Sequence, residues 1–311
     1  MSKGRSLRLF LADGTPGGII TAEIMNWIGH VMVAPRSRLP DLIRRSESGR
    51  TGIYFLTGSD PDGTFKPLVY LGETDNVGKR LAQHNKDENK DFWDRVCVVT
   101  SKDQNLTKAH VRYLESRLIA IATEAGRAKL VNGTAPDYGL LPESDLADME
   151  FFIEQVRIVL PVLGMEFLRD APKLPTIPLV VTSAGVVVVS EAPVFELLKP
   201  RLPDLRAEAQ EMEGDFVVLA GSLARADSPH STNHYRRLRD ALKSDGTLQP
   251  EAGHLRFTRN TAFRSPSAAA AVILDRNDNG RTSWCLKGTD KTYADWQEDQ
   301  VAAVTPQGGE S

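Results

Sequence analysis

Two short apolar segments, each carrying a tyrosine, dominate the hydrophobic pattern in the first third of the chain. Residues 51–56 and 68–71 are rich in β-branched and aromatic side chains, and the turn-forming stretch 58–63 lies between them. A strand, a dense turn and a second strand predict a β-hairpin. Residues 92–100 show the same character and predict a third strand.

The segments after the hairpin have helical spacing instead. In residues 76–86 the apolar positions share one face, and Arg80 and His84 stand one turn apart on a neighbouring face. Thr107 is expected to cap a further helix, in which Glu115 borders the apolar stripe. A carboxylate in that position can be partly buried and still point into a cleft.

The pattern over the whole chain predicts an α+β protein with two domains. Residues 171–178 carry three prolines and are typical of a linker, whereas residues 196–213 have helix-like composition despite Pro200 and Pro203. The length of 311 residues leaves room for two hydrophobic cores. The predicted parts are an N-terminal extension packed on the first domain (1–50), the first domain (51–170), a linker with connecting elements (171–213), a second α+β domain (214–300) and a disordered tail (301–311).

Composition indicates a cytoplasmic, globular protein. Apolar residues make up 41% of the chain and charged residues 25%, and no run of apolar residues is long enough to span a membrane. Residues 6–11 are too short and too interrupted by charge for a signal peptide. Cys97 and Cys285 lie far apart without metal-site spacing, so neither a disulfide framework nor a zinc site is expected.

The charge distribution favours nucleic-acid contact only locally. The formal net charge of −3 counts weakly against it. Between Lys79 and Lys129, however, Lys and Arg outnumber Asp and Glu by 11 to 7, and between His254 and Lys291 by 7 to 3. Solvated faces of ordinary domains remain the alternative interpretation of both segments.

The polar residues of the first domain have the chemistry of phosphodiester hydrolysis. This reaction needs a group that activates water, a cation on the non-bridging oxygens and support for the leaving group. Arg80 can bind phosphate with its planar fork, and Glu115 can hold one Mg²⁺ or Mn²⁺. Tyr54 is a candidate base if a cation lowers its pKa from about 10. Tyr70 and His84 can orient the water or assist proton transfer, and the spacing does not decide between these groups.

These residues resemble the GIY-YIG nuclease family over residues 51–135. The resemblance implies a small core built on a three-stranded antiparallel sheet flanked by helices. It also implies DNA cleavage with one divalent ion on the glutamate, and the first tyrosine as base. A leucine replaces the middle isoleucine of the second motif, and the loop 57–67 is long. The matching positions, in order, are Gly52-Ile53-Tyr54, Tyr70-Leu71-Gly72, Arg80, His84, Glu115 and Asn132, the last as the asparagine that holds the site together.

The C-terminal part of the chain resembles an uncharacterised domain that is often found after GIY-YIG nucleases. This resemblance supports the predicted two-domain architecture more than it supports the nuclease activity. The segments that carry it are Gly221-Ser222-Leu223-Ala224-Arg225, Tyr235-Arg236-Arg237-Leu238-Arg239, Phe263-Arg264-Ser265-Pro266-Ser267-Ala268-Ala269 and Asn279-Gly280-Arg281.

Ordinary structural roles compete with each of these assignments. A strand tyrosine is often only a good β-former, His84 can lie on a solvated helix face, and Glu115 can pair with Lys108 or Arg112 of its own helix. Asn132 before Gly133 is a common turn signal.

Taken together, the residues predict a metal-dependent DNA endonuclease. The alternatives are a non-catalytic nucleic-acid-binding module and a nuclease acting on RNA. The oligomeric state stays open, and a dimer is possible.

Overall fold

The structure, a computed structural model, shows an α+β protein with two compact units, residues 1–170 and residues 171–311. Each unit has its own hydrophobic core. In the described parts of the chain, no helix is both long enough and apolar enough to cross a bilayer. The described residues are 4–60, 66–132, 141–170, 180–182, 185–187, 193–199, 202–212, 214–228 and 233–304.

A seven-stranded sheet forms the centre of the N-terminal unit, in the order β1-β2-β3-β6-β4-β5-β7. Neighbouring strands are antiparallel except for the pair β5 and β7. The three strands of the predicted core are β6, β4 and β5, and residues before 50 add three more strands to the same sheet. The strands are β1 (Leu7–Leu11), β2 (Ile20–Ile24), β3 (Gly29–Pro35), β4 (Gly52–Gly58), β5 (Leu68–Thr74), β6 (Arg95–Ser101) and β7 (Lys129–Leu130).

Helices cover both faces of this sheet. Because side chains alternate along a strand, Tyr54 and Phe55 of β4 belong to different cores. Tyr54 packs with residues of α1 and α2, and Phe55 packs with residues of α3 and α4. The tyrosine motif therefore faces α2. The helices are α1 (Leu39–Arg44), α2 (Val77–His84), α3 (Lys108–Ala125) and α4 (Glu143–Val162).

The C-terminal unit combines a five-stranded sheet, β16-β12-β11-β10-β17, with a three-stranded sheet, β13-β15-β14, and a separate hairpin of β8 and β9. The apolar helix α6 is buried along most of its length, and the Ser265 side chain caps it by accepting from the Ala268 N–H. The strands are β8 (Val180–Thr182), β9 (Gly185–Val187), β10 (Val194–Lys199), β11 (Leu202–Met212), β12 (Asp215–Val218), β13 (Leu223–Arg225), β14 (Leu248–Glu251), β15 (His254–Phe257), β16 (Thr261–Phe263) and β17 (Cys285–Leu286). The helices are α5 (Arg236–Ser244), α6 (Pro266–Leu274), α7 (Gly280–Ser283) and α8 (Tyr293–Val304).

The helix predicted for residues 196–213 is wrong. These residues form β10 and β11, which pair with each other and with β12 and β17. Burial alternates along β11, since Leu205, Ala207 and Ala209 are buried while Arg206 is exposed. The composition favours a helix, but pairing with distant strands determines the observed structure.

The C-terminal tail begins later than predicted. Helix α8 ends at Val304, so residues 301–304 are helical rather than disordered. Residues 305–311, the rest of the predicted tail, lie outside the described residues.

Candidate active site

Tyr54 and Gly72 face each other across the paired strands β4 and β5. The Tyr54 side chain is almost entirely buried, with 1% exposure. A Cβ atom on Gly72 would lie 2.2 Å from the Tyr54 hydroxyl oxygen, so only glycine leaves room for that hydroxyl. Gly52 is required for a similar reason, because a Cβ there would lie 2.5 Å from the backbone oxygen of Val99 on β6.

Helix α2 places two polar side chains against the Tyr54 hydroxyl. Asn76 caps this helix by accepting a hydrogen bond from the Lys79 amide. The Nε2 atom of His84 lies 2.7 Å from Oη of Tyr54, and Nε of Arg80 donates to the same oxygen at 3.4 Å. His84 is buried, so the alternative of a solvated helix face is excluded for it.

Tyr70 completes the cluster from the neighbouring strand. Its ring centroid lies 6.2 Å from that of Tyr54 and 5.3 Å from that of His84. The Nζ atom of Lys90 lies 3.8 Å from the centroid of the Tyr70 ring, in cation–π contact. Sequence reasoning missed Lys90, which lies in a 3₁₀ turn after α2 and belongs to no motif.

His84 is neutral at neutral pH in this environment. Burial, followed by the positive charges of Lys90 and Arg80, lowers the pKa of His84 to about 4. With its proton on Nδ1, the imidazole presents an unprotonated Nε2 that accepts the hydrogen bond of the Tyr54 hydroxyl.

Tyr54 is a neutral phenol in the structure. Burial raises its pKa well above the ordinary value, and nearby Tyr70 adds to the rise, while Arg80 opposes it. The expectation that a cation brings this pKa into a useful range is therefore not met by Arg80 alone. His84 is the group placed to take the Tyr54 proton.

Glu115 lies at the edge of the same sheet, beside a second carboxylate. Helix α3 leaves it half-buried and close to Glu73 of β5. Burial first, and the negative charge of Glu73 next, raise the pKa of Glu115 to about 7. Lys108 makes ion pairs with Glu73 at 2.6 Å and with Asp75 at 3.5 Å. Glu73 was missed by sequence reasoning, although it directly follows the second motif.

The outer edge of β5 positions Asn132. Val131 donates its backbone N–H to the Val69 oxygen at 2.8 Å. The Asn132 amide then accepts from the Leu71 N–H at 2.9 Å and donates to the Leu71 oxygen at 2.8 Å. The Asn132 side chain thus takes the place of the backbone of a pairing strand. Gly133, invoked for the alternative turn role, lies outside the described residues.

The structure therefore brings four predicted residues into one cluster: the Tyr54 hydroxyl contacts Arg80 and His84, and the Tyr70 ring lies against both Tyr54 and His84. The fifth, Glu115, lies instead near Glu73, the residue that follows Gly72. Carboxylate oxygens are the ligands that Mg²⁺ and Mn²⁺ prefer, and a divalent cation relieves the repulsion within this pair. In the part of the chain that the structure describes, no group of three or more His, Cys, Asp or Glu side chains is arranged around a metal position. An ion held by one or two carboxylates takes its remaining ligands from water and phosphate.

Comparison with known proteins bears on the C-terminal unit. Residues 198–297 match a family profile described as "Domain of unknown function (DUF4357)". All four segments that carry the resemblance of the C-terminal part fall within this match. No curated protein and no solved structure matches the chain. The resemblance of residues 51–135 to GIY-YIG nucleases rests on those residues themselves.

Proposed function

We propose that the N-terminal unit is a divalent-metal-dependent endonuclease that hydrolyses phosphodiester bonds of DNA. The observation that carries this proposal is the buried hydrogen-bonded cluster of Tyr54, His84 and Arg80. Arg80 hydrogen-bonds to the Tyr54 hydroxyl and to Gln83, and no carboxylate among the described residues pairs with it. An arginine left without a carboxylate beside a proton-accepting pair is suited to binding a phosphate diester.

Proton transfer follows from the geometry of the Tyr54 and His84 pair. The hydroxyl of Tyr54 can take a proton from an attacking water while it passes its own proton to Nε2 of His84, 2.7 Å away. Because burial disfavours a free phenolate, the two transfers occur together. The guanidinium of Arg80 stabilises negative charge on the phenol oxygen and on the phosphate.

The carboxylates supply the place for the metal. Glu115, with Glu73 beside it, would hold a single Mg²⁺ or Mn²⁺, and the bound ion neutralises phosphate charge and stabilises the leaving alkoxide. Glu115 binds a cation only when it is ionised, so its occupancy increases as the pH rises through about 7. Lys108 competes for Glu73 at lower metal concentration.

A nicking assay on supercoiled plasmid with Mg²⁺ or Mn²⁺ tests the proposal. We expect nicking by the natural protein and loss of nicking in Tyr54→Phe and Glu115→Ala. Two matched controls should retain activity. Tyr113→Phe removes a hydroxyl that bonds Glu150 on the other side of the sheet, and Glu124→Ala removes an exposed carboxylate of α3. Equal cleavage by all five proteins would indicate a contaminant and reject the assignment.

One observation favours a second candidate, a non-catalytic nucleic-acid-binding module. Tyr54 is 1% exposed, and a base has to be reached by the water that it activates. Binding of plasmid without nicking under any metal would support this candidate. A parallel RNA substrate separates DNA cleavage from RNA cleavage.

A further inference from the structure

We propose that Lys90 is a phosphate-binding residue of the candidate site, and that Arg36 positions it from outside the region of nuclease resemblance. The inference rests on the proposed function, since it assigns to the same site a second contact with the nucleic-acid backbone.

The ammonium of Lys90 packs on an aromatic ring and not against a carboxylate of the described residues. Its ammonium lies over the Tyr70 ring, and among the described residues no acidic side chain pairs with it. Lys108, by comparison, is neutralised by both Glu73 and Asp75. An ammonium that packs on an aromatic face, without a carboxylate partner, has N–H donors available for an incoming anion.

Lys90 and Arg80 act on the same imidazole. Lys90 lies over the Tyr70 ring, whose centroid is 5.3 Å from that of His84. Arg80 donates to the Tyr54 hydroxyl, which His84 also contacts. Both positive charges disfavour protonation of His84. Two cations without carboxylate partners among the described residues are thus gathered at one small cluster, where each can bind a phosphate oxygen of a nucleic-acid backbone.

Arg36 fixes the segment that carries Lys90 at both ends. Its Nε donates to Oδ1 of Asn85 at 3.0 Å, and its Nη1 donates to Oδ1 of Asp91 at 2.7 Å. The guanidinium also lies 4.5 Å from the ring centroid of Trp93, and the Arg36 amide donates to the Asp94 oxygen at 2.7 Å. The Arg36 side chain thus joins residue 85 to residues 91 and 93, with Lys90 between them.

Arg36 lies directly after β3, in the three-strand addition that precedes the nuclease-like region. The N-terminal segment therefore does more than extend the sheet, because it supplies Arg36, which fixes the position of Lys90. This gives the segment 1–50 a role in substrate binding.

Salt-dependent binding of a labelled DNA duplex, measured in Ca²⁺, tests the role of Lys90. Loss of one phosphate contact reduces the slope of log affinity against log salt by about 0.9. We expect this reduction and an affinity loss of about 5- to 10-fold in Lys90→Met, with both restored in Lys90→Arg. The matched control is Lys86→Met, which removes the same charge from an exposed position of the same segment and should leave the slope unchanged.

A double-mutant cycle tests the role of Arg36. We expect Arg36→Ala to reproduce the reduced slope of Lys90→Met, and the double variant to bind no more weakly than the weaker single variant. Melting temperatures verify that each variant is folded. Additive losses would show that Arg36 contacts DNA or the fold independently, and would overturn its positioning role.

The outcomes separate this inference from the proposed function. Identical slopes and affinities for Lys90→Met and Lys86→Met would overturn the phosphate contact even if the natural protein nicks plasmid. A slope change specific to Lys90, in a protein that never nicks, would support the contact and reject the nuclease.

Discussion

One arginine in each unit shows how differently a guanidinium can be held. In the C-terminal unit Arg239 is 1% exposed, and it donates to Asp227 at 3.0 Å and to the backbone oxygens of Val272 and Arg225, with Asp275 at 3.8 Å. In the N-terminal unit Arg80 donates to the Tyr54 hydroxyl and to the Gln83 side-chain oxygen, and no carboxylate of the described part of the chain pairs with it. A guanidinium surrounded by carboxylates and carbonyls holds a fold together, whereas one without a carboxylate is available for a substrate.

Replacing each arginine by alanine should separate the two roles, and this is the largest effect expected. Arg239→Ala removes the cation beside the buried Asp275 and leaves two backbone oxygens without their donor. It should destabilise the protein by about 3–5 kcal/mol in urea denaturation. Arg80→Ala should change stability by less than about 1 kcal/mol. It should lower plasmid nicking by about 100-fold or more. Similar stability losses in both variants would remove the distinction between the units.

Gly72→Ala should misplace the Tyr54 hydroxyl. The added Cβ would lie 2.2 Å from that oxygen, and a displacement of about 1 Å at a catalytic group costs about 100-fold in rate. The control is Gly49→Ala, where a Cβ meets nothing within 4 Å. Full nicking activity in Gly72→Ala would show that the Tyr54 position does not matter for the reaction.

Asn132→Ala should loosen the edge of β5. It removes two hydrogen bonds to Leu71, which corresponds to about 1–3 kcal/mol of stability. Hydrogen exchange of the Leu71 amide should accelerate in this variant and stay slow in Asn105→Ala, an exposed asparagine. Unchanged protection of Leu71 would contradict the strand-like role of the Asn132 side chain.

Glu115→Gln should give the smallest effect, a pH-dependent gain in stability. The folded-state pKa of Glu115 is about 7, above its ordinary 4.5, so the charged carboxylate destabilises the fold above pH 7 and not below pH 4.5. The melting temperature of Glu115→Gln should therefore exceed that of the natural protein by about 2–5 °C at pH 8 and match it near pH 5. Glu124→Gln should show no such difference, and a gain for Glu115→Gln that is equal at both pH values would contradict the assignment.

The local parts of the fold and site are predictable from sequence. The hairpin, the cap of α2 and the cap of α3 depend on nearby residues, as does the spacing of Arg80 and His84 on one helix. These features follow from turn chemistry and periodicity alone.

The remaining features depend on contacts between distant segments. The pairing of β3 with β6 joins residues some 65 positions apart. The strands β10 and β11 form because they pair with each other and with β12 and β17. Glu73 belongs to the candidate site because it lies near Glu115 of α3, and Lys90 belongs to it because its ammonium contacts the Tyr70 ring. No local sequence pattern predicts either contact. The burial that raises the pKa of Tyr54 is likewise a property of the packed sheet.

The most direct measurement is a crystal structure of the protein with an uncleaved DNA duplex and Ca²⁺. The account predicts a backbone phosphate in contact with Arg80 and Lys90, next to the Tyr54 hydroxyl, and a calcium ion on the Glu115 carboxylate. DNA bound to another surface, with Glu115 free of metal and Tyr54 remote from every phosphate, would contradict it.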